Sequence, residues 1–126
     1  KRQILKVSFA GPAANLFLCF LAAFFMTFLN RFGLLSDGVY RFLLWMQLYN
    51  VWFAFFNLIP VPPLDGSKIL SELLPPSMAW KFDNLVGRYG FYILIALVFT
   101  GITGAIIRPL AAGYMLLVNG ILGLVF

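Results

Sequence analysis

The sequence contains no histidine, one cysteine and few charged residues. Without imidazole, the 126 residues cannot form a Ser/His or Cys/His nucleophile pair, or a zinc site that needs histidine ligands. Cys19 has no second thiol to pair with and lies in an apolar run, so an internal disulfide is excluded and a packed thiol is expected. Catalytic chemistry in this chain is therefore either histidine-free or incomplete.

Charge is scarce, because 10% of the residues are charged and 63% are hydrophobic. Soluble proteins contain about 45 to 50% apolar and about 25% charged residues, so this chain lacks the polar surface of a soluble domain. The net charge of +5 lies mostly at the edges of apolar runs, as is typical of membrane-flanking positions rather than a nucleic-acid-binding surface. We expect an integral, multi-pass membrane protein that contacts the lipid bilayer and no nucleic acid.

Four stretches without Asp, Glu, Lys or Arg predict transmembrane helices. They cover residues 7–29, 42–59, 90–107 and 110–126. A helix of about 17 to 25 residues is needed to cross the hydrocarbon core, so the first stretch is ample and the others are near the lower limit. The predicted fold class is an all-α, polytopic transmembrane helix bundle. Whether the last stretch spans the membrane completely stays open.

Local signals predict how these stretches are connected. Asp37 and Gly38 predict a turn between the first two, and residues 78–86 predict a short interfacial helix before the third. Arg108 and Pro109 predict a tight break between the third and fourth, because proline interrupts a helix.

The most informative segment, residues 57–66, reads Asn-Leu-Ile-Pro-Val-Pro-Pro-Leu-Asp-Gly and follows the second apolar stretch without a polar spacer. Three prolines in four residues exclude a helix there and leave backbone carbonyls without partners in the segment. Irregular backbone at membrane depth is tolerated only where it is buried in protein or lines a hydrated cavity. The bundle is therefore predicted to contain a proline-rich broken segment and a pocket, with Asp65 in or beside it.

Two interpretations of Asp65 follow from the residues alone. A carboxylate at membrane depth usually pairs, binds an ion or relays protons, which favours a functional role. Alternatively, Asp65 caps a short helix predicted over residues 67–74, which Pro75 and Pro76 would end. A capping carboxylate can still offer its second oxygen to another partner, so the two interpretations are compatible.

Residues 57–66 resemble the N-x-x-P-x-P-P-L-D-G signature of the site-2 protease family of intramembrane zinc metalloproteases. Residues 9–15, Phe-Ala-Gly-Pro-Ala-Ala-Asn, resemble the A-G-P-x-x-N element that opens a membrane helix upstream in that family. Residues 88–101 are similar to the tail of its compact bacterial-type members. The resemblance covers nearly the whole chain, so residues 1–126 are interpreted as the C-terminal portion of a site-2-protease-like membrane domain.

The resemblance implies roles for two residues. In that family the Asp of L-D-G is the third zinc ligand, two histidines of an H-E-x-x-H helix are the others, and the Glu of that helix is the general base. Asp65 is therefore the implied metal ligand. Asn57 matches the family Asn placed near the zinc, which makes it a candidate catalytic residue that stabilises an oxyanion. The alternative for Asn57 is a hydrogen bond at a helix end.

The chain departs from the family pattern because it has no H-E-x-x-H helix. The resemblance implies an intramembrane zinc metallopeptidase that hydrolyses peptide bonds of transmembrane protein substrates. This chain would supply the third zinc ligand and part of the substrate cleft, and would be inactive alone with an incomplete zinc site. The alternative is a noncatalytic family relative that acts as a membrane binding scaffold. The substrate and the oligomeric state stay open.

Overall fold

The structure, a computed structural model, describes residues 2–126, with side chains from Gln3 onward. This part of the chain contains five α-helices and no strand: α1 (Arg2–Arg31), α2 (Asp37–Asn57), α3 (Asp65–Leu73), α4 (Pro76–Phe99) and α5 (Ile102–Val125). The predicted all-α class is confirmed.

Three of the helices, α1, α4 and α5, are long and apolar enough to cross a membrane. The second apolar stretch lies in α2, which is not among them. It has 21 residues, but Gln47, Asn50 and several Trp and Tyr side chains lower its hydropathy. A membrane crossing by α2 therefore stays a prediction.

The connection between α1 and α2 differs from the expectation. Asp37 and Gly38 are the first residues of α2 rather than a turn. The backbone N–H of Val39 donates to Ser36 Oγ at 3.3 Å, so Ser36 caps the helix and satisfies one of its unpaired N–H groups. The turn lies earlier, beginning at Phe32.

The break between the last two helices also differs from the expectation at Arg108 and Pro109. It lies at Thr100 and Gly101, where Gly101 has a φ of +80°, a conformation that favours glycine. Pro109 lies inside α5, which continues through it. A proline removes one backbone donor and need not end a helix when the rest of the helix is packed.

The predicted interfacial helix at 78–86 is not separate, because it forms the first part of α4. Helix α3 ends before Pro75 and Pro76 as expected, and Pro76 occupies the first turn of α4, where its missing N–H costs no hydrogen bond.

The core lies where α1, α2 and α5 meet the chain between α2 and α3. Its main cluster, here called the main core, consists of Cys19, Val51, Ile59, Val61, Leu64, Ile107 and Ala111. The helices α1 and α5 run parallel, because Tyr114 donates to the Leu16 carbonyl at 2.6 Å and the rings of Phe24 and Phe126 lie 5.5 Å apart. The outward side chains of both helices include Phe17, Leu116 and Leu124, as expected for a surface in lipid.

Candidate metal site at Asp65

Residues 58–64, here called the proline-rich segment, connect α2 to α3 without a helix, as the three prolines predict. Two short turns order its backbone: the Val61 N–H donates to the Ile59 carbonyl at 2.8 Å, and the Leu64 N–H donates to the Val61 carbonyl at 2.9 Å. The side chains of these three residues are buried in the main core. These three side chains therefore anchor the irregular backbone to the core, while Pro60 and Pro63 are exposed.

Gly66 brings the two ends of the 57–66 motif together. A Cβ built on Gly66 would overlap the carbonyl oxygens of Leu58 and Ile59. The backbone of Gly66 therefore packs directly on these carbonyls, and no other residue type fits without moving the main chain. Because Asn57 precedes Leu58 and Asp65 precedes Gly66, the two predicted site residues flank the same backbone contact.

The carboxylate of Asp65 lies against α1. A Cβ built on Gly11 would stand 3.3 Å from Asp65 Oδ2, so the carboxylate oxygen occupies the space that a side chain at Gly11 would need. Gly11 belongs to the A-G-P element and Asp65 to the L-D-G element. The fold thus places the two motifs that the sequence singled out in direct contact.

The capping interpretation of Asp65 is wrong. Helix α3 begins at Asp65 itself, with Leu64 at the N-cap position and no side-chain capping bond. The hydroxyl of Ser67 instead donates to the Leu64 carbonyl at 2.8 Å. Asp65 is half-buried in the first turn, where a negative charge interacts favourably with the helix dipole, and makes no capping hydrogen bond.

Asn57 is the last residue of α2 and is half-buried. Within residues 2–126 its amide makes no side-chain hydrogen bond, whereas Asn50, two turns earlier, donates to the Met46 carbonyl at 2.7 Å. The structure therefore gives no helix-end hydrogen bond to Asn57, and its catalytic role stays a prediction.

A cleft of about 620 Å³ lies beside this site, and Pro62 forms part of its wall. The other lining residues come from the start of α1, from α3 and from α4; the polar ones include Ser8, Ser67, Lys68, Ser71, Glu72 and Asp83. Asp65 does not line the cleft, so the carboxylate lies next to the pocket rather than in it.

Sequence reasoning did not single out the polar residues of this cleft. Ser8 and Ser67 are almost fully buried there, and the Ser71 hydroxyl donates to Asp83 Oδ2 at 3.0 Å, which links α3 to α4. No local signal identifies this pair, because the two residues lie in different helices.

The described residues do not by themselves fit a zinc ion. None of their His, Cys, Asp and Glu side chains form a group of three or more that could hold a metal. Protein zinc sites use at least three protein ligands, and the carboxylate of Asp65 is suitable as one of them. A zinc ion at Asp65 would need ligands beyond the described Cys, Asp and Glu side chains.

Comparison with known proteins agrees with the motifs. The family sequence model described as "Peptidase family M50" matches residues 32–100, more than half of the chain. "Putative zinc metalloprotease YwhC" of Bacillus subtilis is 36% identical over an alignment of 110 residues, and this alignment covers 82% of this chain and 49% of the relative. "Putative zinc metalloprotease MJ0611" of Methanocaldococcus jannaschii is 35% identical over 66 residues, 52% of this chain and 32% of the relative. No solved structure matches.

With three helices able to cross a bilayer, the chain is a membrane protein, and both relatives are named as zinc metalloproteases. It belongs to peptidase family M50, the site-2 protease family that its motifs resemble. The chain spans about half the length of the Bacillus subtilis relative and about a third of the archaeal one.

Proposed function

We propose that this chain is part of an intramembrane zinc metallopeptidase and supplies one zinc ligand, Asp65. The observation that carries the proposal is the contact between the carboxylate of Asp65 and Gly11. This contact joins the two family motifs next to the non-helical proline-rich segment, between apolar helices. An acid kept in such surroundings needs a partner, and a metal ion is a partner of suitable charge.

The remaining ligands are proposed to come from outside these residues, because the chain contains no histidine. Gly11 and Ala14 are exposed on α1, so the surface beside the Asp65 carboxylate is open to residues that complete the ligand set. Zinc bound there would act as a Lewis acid and lower the pKa of its bound water to about 7. On this proposal, the chain alone is inactive.

Asn57 is proposed to act on the substrate rather than on the metal. Asn57 directly precedes Leu58, whose carbonyl packs on Gly66 next to Asp65, and its amide makes no side-chain hydrogen bond within residues 2–126. An unpaired amide donor next to the reacting carbonyl would stabilise the negative charge that develops on its oxygen during hydrolysis.

Transmembrane segments of other proteins are the proposed substrates. The outer faces of α1, α4 and α5 are apolar, as required for contact with lipid and with the helices of a substrate. The cleft beside Asp65 combines an apolar wall with buried hydroxyls from Ser8 and Ser67, which can hydrogen-bond a peptide backbone.

The first experiment replaces Asp65 by Ala or Asn in the complete protein and measures bound zinc by mass spectrometry. The same samples are tested for cleavage of a tagged single-span protein in phosphatidylcholine vesicles. We expect both variants to lose zinc and cleavage by more than about 100-fold, since changes to outer-shell partners alone cost about 10- to 100-fold. Asp37→Asn is the matched control, because Asp37 is exposed at the start of α2.

In the same assay, Asn57→Ala is expected to keep zinc and to lower kcat by about 100- to 1,000-fold, the usual cost of losing one oxyanion donor. An Asp65→Ala variant with wild-type zinc content would contradict the ligand role, and an unchanged kcat would contradict the role of Asn57. A complete wild-type protein that binds no zinc would instead support the noncatalytic membrane scaffold.

A further inference from the structure

Helix α4 packs tightly against the proline-rich segment at Gly90. A Cβ built on Gly90 would stand 2.9 Å from Pro62 Cδ, 3.3 Å from Cγ and 3.6 Å from Cβ. The first distance is shorter than a carbon–carbon contact allows, so α4 comes this close to Pro62 only because residue 90 has no side chain. Gly90 is buried, as is Val86 one turn earlier.

Helix α4 is held on both sides of this contact. Before Gly90, Asp83 accepts the hydrogen bond from Ser71 at 3.0 Å, and Val86 is buried against the cleft. After Gly90, the side chains Ile93, Leu94 and Leu97 pack on the main core. A helix fixed at both ends of a contact cannot bend away from it at one residue without breaking other packing.

The pyrrolidine ring of Pro62 cannot rotate away from an added methyl group, because it is closed onto its own backbone. A larger residue 90 would therefore push the irregular backbone, which is softer than a helix. The turn closed by the Leu64 N–H and the Val61 carbonyl, 2.9 Å apart, contains Pro62 and ends directly before Asp65. Displacement of the ring is thereby passed to the carboxylate that lies on Gly11.

We infer that Gly90 is a positioning residue that acts through Pro62 to set the place of the Asp65 carboxylate. The inference rests on the proposed function, because it assigns to Gly90 an effect on the zinc site. Gly90 itself touches neither the metal nor the substrate in this arrangement. Its contribution is the absence of a side chain where α4 packs on Pro62.

The test compares Gly90→Ala with wild type and Asp65→Ala in the complete protein. The measurement is the zinc retained by folded, monodisperse protein against increasing concentrations of a chelator, followed by the thermal unfolding temperature. We expect Gly90→Ala to retain zinc about 10- to 100-fold more weakly, as for other changes to outer-shell partners. Gly113→Ala in α5 is the matched control, because a Cβ there has nothing within 4 Å.

A second variant separates positioning from a general loss of packing. Pro62→Ala removes Cγ and Cδ and leaves only Cβ, which at 3.6 Å is in ordinary contact with a methyl group on residue 90. The double variant Gly90→Ala/Pro62→Ala is therefore expected to retain zinc as well as Pro62→Ala does. The comparison of the double variant with Pro62→Ala still tests the inference if Gly90→Ala alone does not fold.

Two outcomes overturn the inference while the proposed function stands. In the first, Asp65→Ala loses zinc but Gly90→Ala retains zinc as tightly as Gly113→Ala. In the second, the double variant retains zinc at least about 10-fold more weakly than Pro62→Ala. If Asp65→Ala keeps zinc like wild type, the proposed function itself fails, and the inference fails with it.

Discussion

Glycines near the proline-rich segment and glycines in the second half of α5 have opposite surroundings. A Cβ on Gly11, Gly66 or Gly90 would meet the Asp65 carboxylate, two backbone carbonyls or the Pro62 ring. A Cβ on Gly113 or Gly120 of α5 would meet nothing within 4 Å. Glycine therefore allows two elements to pack closely in the first region, whereas in α5 it lies on an open surface that has room for a side chain. The crowded region is also the region that contains both predicted site residues.

The largest effect is expected for Gly66→Ala. The added methyl group would overlap the carbonyl oxygens of Leu58 and Ile59, which belong to the main chain and cannot rotate away. We expect a loss of stability of about 3 kcal/mol, at the upper end of overpacking costs, together with loss of bound zinc. Thermal unfolding in detergent and zinc content measure the two effects. Wild-type behaviour in both would show that the Gly66 backbone is not in close contact with the Leu58 carbonyl.

A smaller effect, on the metal rather than on the fold, is expected for Gly11→Ala. The group in the way is the end of a flexible side chain, Asp65 Oδ2, at 3.3 Å from the new Cβ. The carboxylate can turn aside, so stability should change little while its orientation changes. We expect zinc retention to weaken about 10-fold at an unchanged unfolding temperature. If Gly11→Ala lost stability as well as zinc, Gly11 would be packed as tightly as Gly66, which would contradict this prediction.

The smallest effect is expected for Gly120→Ala. This position is exposed in α5 and a methyl group there has free space, so the helix should gain about 0.5 to 1 kcal/mol from the lower backbone entropy of alanine. Zinc content should not change. The unfolding temperature is the measurement, and a decrease would show that the open face of α5 packs against something in the complete protein.

The proline-rich segment was well predicted from sequence because its cause is local. Pro60, Pro62 and Pro63 lack backbone donors wherever the chain places them, and the helix must stop before them. The all-α class was predictable for a similar reason, since apolar stretches of this length leave few other solutions in a membrane. The two family motifs were also recognisable, because each is a short, continuous string of residues.

Other local signals were misleading. Pro109 lacks a backbone donor just as Pro62 does, but α5 continues through it. The break between α4 and α5 lies instead at Gly101. A single proline removes one backbone hydrogen bond from the 24 residues of α5, and the helix continues, whereas three prolines in four residues remove too many. Asp65 has the right residue type and position for a cap, but its carboxylate turns to α1 and the helix begins without a capping bond.

The sequence by itself determined that this protein is helical and apolar, where its backbone must be irregular, and which family it belongs to. These properties depend on residue type and on short-range order along the chain. The tertiary structure alone decided that the Asp65 carboxylate lies on Gly11, that Gly66 packs on the Leu58 carbonyl and that α4 meets Pro62 at Gly90. Such contacts join distant parts of the chain, and they depend on how the helices pack as a whole rather than on any one segment.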